Sequence, residues 1–114
     1  MRFAIMLSGP AGQASHQHAL KFCQAAISAG HQLLCVFFIG DAVKSGATVS
    51  PAAAEQLRWQ QLASTADVEL TLCSGSASHC AIGTEQLADH FALGGLGLWQ
   101  DAISQADRCL RFGN

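Results

Sequence analysis

The sequence predicts an α/β domain of three layers, in which helices cover both faces of a mainly parallel sheet of four to five strands. Near-continuous apolar runs, typical of strands buried on both faces, alternate along the chain with segments of helical periodicity. This alternation favours parallel strands joined by helical crossovers. Because the chain has 114 residues and no linker or internal repeat, residues 1–114 are expected to form a single domain.

Four apolar segments are expected to form the strands, because each is rich in residues that fill a buried sheet. They are Arg2–Leu7 and residues 33–39, 68–72 and 109–112. Three stretches have apolar residues at helical spacing. The first is residues 14–29, with Gly30 as the residue that stops the helix. The second begins at Ser50-Pro51 and contains Trp59, Leu62, Ala63 and Ala66. The third contains Trp99, Ala102, Ile103 and Ala106.

The remaining segments are expected to be loops and short turns. Residues 41–50 contain Gly46 and small polar residues, which predicts an exposed loop. A short helix is expected to begin near Thr84, and His90 is expected to lie on it. Residues 93–97 have the sequence Leu-Gly-Gly-Leu-Gly, which predicts a break where the backbone can approach closely.

Composition excludes several classes of function. Only 12% of the residues are charged, against about 25% in an ordinary domain, and this excludes a disordered chain. No apolar run reaches the ~20 residues of a membrane span. Six scattered Lys and Arg residues with a net charge of −2 leave no basic stripe for nucleic acid. The low charge also favours an oligomer, since part of the surface would then be covered by other subunits.

The N-terminus is expected to be a strand rather than a signal peptide, which predicts a cytoplasmic protein with reduced thiols. The chain has five cysteines: Cys23, Cys35, Cys73, Cys80 and Cys109. Three of them lie on a helix face or inside predicted strands, and are expected in the core. They are Cys23, Cys35 and Cys109.

Cys73 is the strongest candidate for chemistry. It ends an apolar strand and enters a loop of small residues, 73–80, at the carboxyl edge where α/β sheets gather reactive groups. Amides in such a loop favour the thiolate, which is the nucleophile. The alternative is a buried strand-end cysteine that acts only as a small hydrophobe, and position alone leaves the two interpretations balanced.

His79 and Cys80 are possible auxiliary groups for Cys73. A histidine beside the thiols could help to deprotonate them, and Cys80 could resolve a sulfenate or persulfide on Cys73. The alternative is a loop cysteine without a function. The spacing of Cys73, His79 and Cys80 does not fit a zinc site. Residues 8–13 match neither nucleotide-binding fingerprint, which disfavours a flavodoxin-like ligand-binding module.

Seven segments, in order along nearly the whole chain, resemble the TusD/DsrE family of sulfur-relay proteins. The segments are Met1-Arg2-Phe3-Ala4-Ile5 with Ser8-Gly9-Pro10, Gly30-His31-Gln32-Leu33, Val36-Phe37-Phe38, Trp59-Gln60-Gln61-Leu62, Val68-Glu69-Leu70 leading to Cys73, Phe91-Ala92-Leu93-Gly94-Gly95-Leu96-Gly97, and Ala106-Asp107-Arg108 with Phe112. The resemblance implies a DsrE-like domain that works as a sulfurtransferase subunit without a metal or organic cofactor, and it places Cys73 on the cysteine that accepts a persulfide sulfur.

The resemblance also implies partners. In the TusD branch these are TusB-like and TusC-like sibling subunits, an upstream TusA-like sulfur donor and a downstream TusE-like acceptor, and the sulfur serves 2-thiolation of the wobble uridine in tRNA. In the DsrE branch the complex is of the DsrEFH type and belongs to sulfur oxidation. The alternative is a non-catalytic DsrE-like scaffold subunit.

Two segments depart from the family pattern. His79-Cys80-Ala81 stands where the family has a basic pair and a glycine, and the 41–50 segment is shorter than expected. The first departure removes positive charge near the sulfur, although a protonated His79 would supply part of it.

Overall fold

The computed structural model describes residues 1–113. Five parallel strands form one sheet, in the order β4-β3-β2-β1-β5. The strands are β1 (Arg2–Leu7), β2 (Gln32–Phe38), β3 (Leu70–Cys73), β4 (Phe91–Gly94) and β5 (Arg108–Phe112). The helices are α1 (Ala14–Ser28), α2 (Ala53–Ala66), α3 (Ser74–His79) and α4 (Leu96–Gln105), with 3-10 helices at Gly40–Gly46 and Thr84–Gln86.

Neighbouring residues of β2 show how the layers are built. Phe38 packs edge-on against Trp59 of α2, with ring centroids 5.5 Å apart. Phe37 contacts Trp99 of α4, with ring centroids 6.1 Å apart. Because successive strand residues point to opposite faces, α2 and α4 lie on opposite sides of the sheet. The predicted three-layer α/β/α fold is therefore confirmed.

The strand order determines where the helices lie. From β1 to β4 the chain moves across the sheet in one direction, and it then returns past β1 to place β5 at the far edge. Crossovers between parallel strands are almost always right-handed, so the returning crossover puts α4 on the face opposite α1 and α2. The carboxyl ends of all five strands meet at one edge of the sheet, and Cys73 lies there.

Residues 41–50 were predicted as an exposed loop. That prediction is wrong up to Gly46, whereas Thr48 and Val49 are exposed as expected. Gly40–Gly46 forms a 3-10 helix in which Ala42, Val43, Ser45 and Gly46 are buried. Its small residues fit closely over the sheet. A side chain on Gly46 would meet Leu72 and Phe91 within 3 Å, which explains why glycine occupies this position.

His90 was predicted on a short helix, but it lies in a turn that leads into β4. Of the break predicted at 93–97, residues 93 and 94 belong to β4 and residues 96 and 97 to α4, so the chain leaves regular structure only at Gly95. His90 has a left-handed φ of 73°, and its carbonyl accepts a hydrogen bond from the N–H of Leu70. From there the chain pairs with β3 as a strand. Gly94 permits this pairing because Leu98 and Thr71 approach it too closely to leave room for a Cβ.

Several smaller boundaries also differ from expectation. The residues predicted to be a loop after Cys73 form α3. Helix α2 begins at Ala53, and the Ser50 hydroxyl accepts a hydrogen bond from the N–H of Ala52 in the preceding turn. The segment near Thr84 is a single 3-10 turn.

Cys109 was expected in the core, and the structure corrects this. It is exposed on β5, an edge strand. Helix α4 packs mainly over β1 and β2 and leaves this side of the edge strand open. No helix within residues 1–113 is long and apolar enough to cross a membrane.

Candidate functional site

Cys73 lies at the junction between β3 and α3. It is the last residue of the strand, only 8% exposed, and the residue that caps the N-terminus of the helix. Because the helix begins at the next residue, the free N–H groups of its first turn are close to the sulfur.

The pKa of the Cys73 thiol reflects both its burial and its place at the start of α3. Burial by itself raises the pKa of the thiol, but the backbone N–H and the hydroxyl of Ser76 and the backbone N–H of Gly75 lower it, and the pKa of Cys73 lies below its ordinary value of 9.0. Donors of this kind stabilise the thiolate more than the thiol. The site therefore favours the nucleophilic form of cysteine.

In two other cysteines the pKa of the thiol is raised rather than lowered. Burial raises the pKa of Cys23 to about 12. It also raises the pKa of Cys35 to about 11, although the Thr71 hydroxyl counteracts part of the effect. Both thiols stay protonated at neutral pH and serve the core, as the sequence predicted.

A hollow of about 300 Å³ opens beside the residues that bind the sulfur. It is lined by Gly40, Asp41, Gly75, Ser76, His79 and Cys80. The structure thus brings the two predicted auxiliary residues, His79 and Cys80, to the same rim as Ser76. Gly40, Asp41 and Ser76 were missed by sequence reasoning. The only signal for Ser76 was its place three residues after a strand-end cysteine.

Cys80 lies at the opposite end of α3 from Cys73. Seven residues at a rise of 1.5 Å place the two Cα atoms roughly 10 Å apart. A disulfide requires Cα atoms within about 7 Å, so direct contact between these sulfurs requires α3 to unwind. The auxiliary roles of Cys80 and His79 remain predictions. No group of three His, Cys, Asp or Glu side chains within residues 1–113 could hold a metal ion.

The fold and site define a class: a parallel α/β domain with a cysteine of lowered pKa at the carboxyl end of a strand. The chain belongs to the DsrE/DsrF-like family, whose family model matches residues 1–112. It is 35% identical to the sulfurtransferase TusD of Enterobacter sp. (strain 638) and 32% identical to the sulfurtransferase TusD of Klebsiella pneumoniae (strain 342). Each comparison covers 98% of the chain and 100% of the relative.

Two solved structures share the fold. The E. coli ychN protein superimposes with a TM-score of 0.81 at 22% identity, covering 98% of this chain and 99% of that one. The protein of unknown function MTH1491 from Methanobacterium thermoautotrophicum gives a TM-score of 0.80 at 10% identity, covering 96% and 97%. The relatives confirm the predicted family and the sulfurtransferase role, and the two structures confirm the fold.

Proposed function

We propose that the protein accepts a persulfide sulfur on Cys73 and relays it to a downstream carrier. The observation that carries this proposal is the position of Cys73 between the carboxyl end of β3 and the start of α3, with a lowered pKa, in a chain whose relatives are sulfurtransferases named TusD. The remaining thiols that are fully buried have raised pKa values and are poor candidates for the same role.

The reaction requires only thiol–persulfide exchange. The Cys73 thiolate attacks the terminal sulfur of a donor cysteine persulfide, so a new S–S bond forms on Cys73 while the S–S bond of the donor breaks and the donor leaves as a thiolate. In the second step a thiolate of the downstream carrier attacks the terminal sulfur, and Cys73 leaves as a thiolate. Both steps conserve electrons, so no external oxidant or reductant takes part.

The donors around Cys73 assist both steps for one physical reason. The N–H groups of Gly75 and Ser76 and the Ser76 hydroxyl stabilise negative charge on the sulfur. A larger thiolate fraction speeds the attack on the donor, and a stabilised thiolate is also the better leaving group in the release step. His79, at the rim of the hollow, would attract an anionic persulfide when it is protonated.

The wider setting of this function follows from the family. We propose that a TusA-like protein supplies the sulfur, that TusB-like and TusC-like subunits assemble with this chain in a cytoplasmic oligomer, and that a TusE-like protein receives the sulfur for 2-thiolation of tRNA. The chain itself makes no direct contact with nucleic acid or membrane in this scheme. Its net charge of −2, with six Lys and Arg residues, agrees with a protein partner.

The test is to measure the intact mass after incubation with a cysteine desulfurase, free cysteine and a TusA-like carrier. The wild-type protein is expected to gain the mass of one sulfur atom, which a reducing agent removes. Cys73→Ser is expected to gain none. The matched control is Cys109→Ser, which removes an exposed thiol on another strand and is expected to load as the wild type does.

Two results would contradict the proposal. One is an unchanged mass in the wild-type protein, and the other is equal loading of Cys73→Ser. Complementation distinguishes the scaffold alternative: if Cys73→Ala fully restores tRNA thiolation in a deletion strain, this subunit assembles the complex and another chain carries the sulfur. Loss of sulfur delivery to the acceptor in Cys80→Ser, with normal loading, would support the auxiliary role of Cys80.

A further inference from the structure

A histidine and a glutamate are buried together where α1 meets α2, and the sulfur chemistry uses neither of them. His16 is fully buried in the first turn of α1, and Glu55 is 8% exposed in the first turn of α2. The Nδ1 atom of His16 lies 3.8 Å from the Oε2 atom of Glu55. Neither of these atoms, nor Oε1 of Glu55, has a hydrogen-bond partner. Two ionisable side chains in the interior are therefore left to face each other.

The second ring nitrogen of His16 determines where its hydrogen lies. Nε2 is 3.0 Å from the carbonyl oxygen of Ser8. A carbonyl oxygen only accepts hydrogen bonds, so Nε2 carries a hydrogen and donates it. A neutral imidazole has a single N–H, so Nδ1 of a neutral His16 would present a lone pair to the Glu55 carboxyl group. Nδ1 can donate toward Glu55 only when the ring is an imidazolium.

The surroundings favour a carboxylate at Glu55 and a proton on His16. Glu55 is the third residue of α2, where the positive end of the helix dipole stabilises negative charge. A buried carboxylate without a hydrogen bond is costly, and a positive charge within 4 Å offsets part of that cost. The dipole of α1 opposes a positive charge on His16, whereas the Ser8 carbonyl and the Glu55 carboxylate both stabilise it. Imidazole is also the stronger base of the two groups in water.

The other charged or titratable side chains on the elements around the pair are exposed, with one exception. In β1, α1, α2 and the 3-10 helix Gly40–Gly46, all within the described residues, the exposed ones are Arg2, His18, Lys21, Asp41, Lys44 and Arg58. The exception is Cys23 of α1, which stays protonated because burial raises the pKa of its thiol to about 12. These elements therefore supply no third buried charge to compensate either member of the pair.

We propose that His16 is an imidazolium paired with the Glu55 carboxylate, and that this buried ion pair makes the packing of α1 against α2 sensitive to pH. Through Nε2 the same ring also holds the Ser8 carbonyl at the end of β1. Loss of the proton would leave a buried carboxylate without a compensating charge. The contribution of the pair to stability is therefore present in weakly acidic solution and is lost as the pH rises until the imidazolium loses its proton.

The experiment determines the protonation of the histidine rings by ¹⁵N NMR of the full chain at about pH 8, where an exposed histidine is mostly neutral. Both ring nitrogens of His16 are expected to carry a hydrogen. His18 is exposed two residues further along the same helix. It is the internal control and is expected to be neutral. The measurement needs no substitution and no sulfur donor, so its outcome is independent of the proposed function.

A substitution at Glu55 tests the partner. Glu55→Gln keeps the length of the side chain and removes its charge, so His16 is expected to lose the Nδ1 hydrogen at the same pH and to keep the one on Nε2. Glu85→Gln is the matched control, because Glu85 is exposed in the 3-10 turn Thr84–Gln86, and His16 is expected to stay an imidazolium in it. The urea midpoint of the wild type is expected to fall relative to that of Glu55→Gln as the pH rises from about 6 to about 9.

Three results would overturn the inference. The first is a neutral His16 in the wild type, with a lone pair on Nδ1. The second is a His16 that keeps its Nδ1 hydrogen in Glu55→Gln, because the carboxylate would then not be the cause. The third is an equal pH dependence of the urea midpoint in the wild type and Glu55→Gln, which would remove the sensitivity to pH. If Glu55→Gln does not fold, the spectrum of the wild type still decides whether His16 is charged.

Discussion

At the scale of single residues, Gly46 is packed closely against core side chains. A Cβ built on this buried residue would come within 2.6 Å of Phe91 Cδ1 and 2.7 Å of Leu72 Cδ1. Both neighbours are core residues, and Leu72 is fully buried. Because densely packed interiors cannot move aside freely, an added methyl group at this position forces the 3-10 helix away from the sheet.

Gly46→Ala is accordingly expected to reduce the free energy of unfolding by about 1–3 kcal/mol, the usual cost of overpacking. Urea denaturation followed by circular dichroism measures it. The control is Gly97→Ala in α4, where no atom lies within 4 Å of the added Cβ and alanine is expected to be neutral or stabilising. Equal midpoints for Gly46→Ala and the wild type would show that the site relaxes without cost.

The residues of the site were predictable only in part. Cys73 could be proposed from sequence because it ends an apolar run. Cys23 and Cys35 could be assigned to the core because one lies on the apolar face of a helix and the other inside an apolar strand. The place of Ser76 could not be predicted, since its hydroxyl accepts a hydrogen bond from the N–H of Gly40, 36 residues away. Nor does any local pattern indicate that buried His16 lies 3.8 Å from Glu55, because that contact joins the starts of two helices.

At the scale of elements, Asp107 connects the start of β5 to the start of β1. Its carboxylate accepts a hydrogen bond of 2.7 Å from the N–H of Arg2, and its own N–H donates to the Arg2 carbonyl over 2.8 Å. The Arg2 N–H bond, together with nearby positive charges, lowers the pKa of this exposed carboxyl from its ordinary value of 3.8. The pair fixes the register at which the two strands begin.

A lowered pKa predicts how stability depends on pH. The ionised carboxylate stabilises the folded chain fully above 3.8, the pKa expected when unfolded, and this contribution is lost as pH falls through the lower folded value. Asp107→Asn is therefore expected to lower the urea midpoint at neutral pH, and its difference from the wild type is expected to shrink in acid. Asp101→Asn, on α4, controls for the lost charge. A pH-independent difference would contradict this account.

Elements were predictable where their residues repeat with a clear period. β1, α1 and β2 have long apolar patterns, and their predicted bounds lie close to the observed ones. β4 has only four residues, and its last residue, Gly94, is followed by a second glycine, Gly95. Its stability comes from pairing with β3. The 3-10 helix Gly40–Gly46 was not predictable for a similar reason. Its small residues are buried by contacts with distant elements rather than by a periodic apolar face.

At the scale of the whole molecule, β1 depends on the last strand of the chain. β1 lies between β2 and β5, and Ile5 and Leu7 are fully buried there. Phe112 of β5 contacts Phe22 of α1, with ring centroids 6.0 Å apart. The N–H of Ser8 also donates to the Phe112 carbonyl. β1 near the start of the chain and β5 near its end therefore form one side of the sheet together.

Removal of the residues after Ala106 is expected to abolish cooperative thermal unfolding and to cause aggregation. It would expose the hydrogen-bonding edge of β1 and the core beneath β5. Circular dichroism and light scattering measure the two effects. Cys109→Ser, which alters β5 without removing it, is expected to unfold cooperatively. A truncated chain with the wild-type melting temperature would contradict this role for β5.

The fold class was predictable because alternation of strands and helices directly favours parallel crossovers. The strand order was not predictable, because the sequence of a strand does not indicate which other strand pairs with it. Placement of β5 next to β1 depends on the return of α4 across the opposite face. The exposure of Cys109 followed from that placement and could not be foreseen from its apolar neighbours.

The strand-to-helix junction at Cys73 has a consequence for oxidative damage. A cysteine with a favoured thiolate is also the one that peroxides oxidise first to a sulfenic acid. Helix α3 holds Cys80 roughly 10 Å away along its axis, measured between Cα atoms, so that thiol cannot trap the sulfenate as a disulfide while the helix stays folded. Reduction of an oxidised Cys73 then depends on a thiol from another molecule. The same strand-to-helix junction that favours the Cys73 thiolate therefore makes its reduction dependent on a second protein or a small thiol.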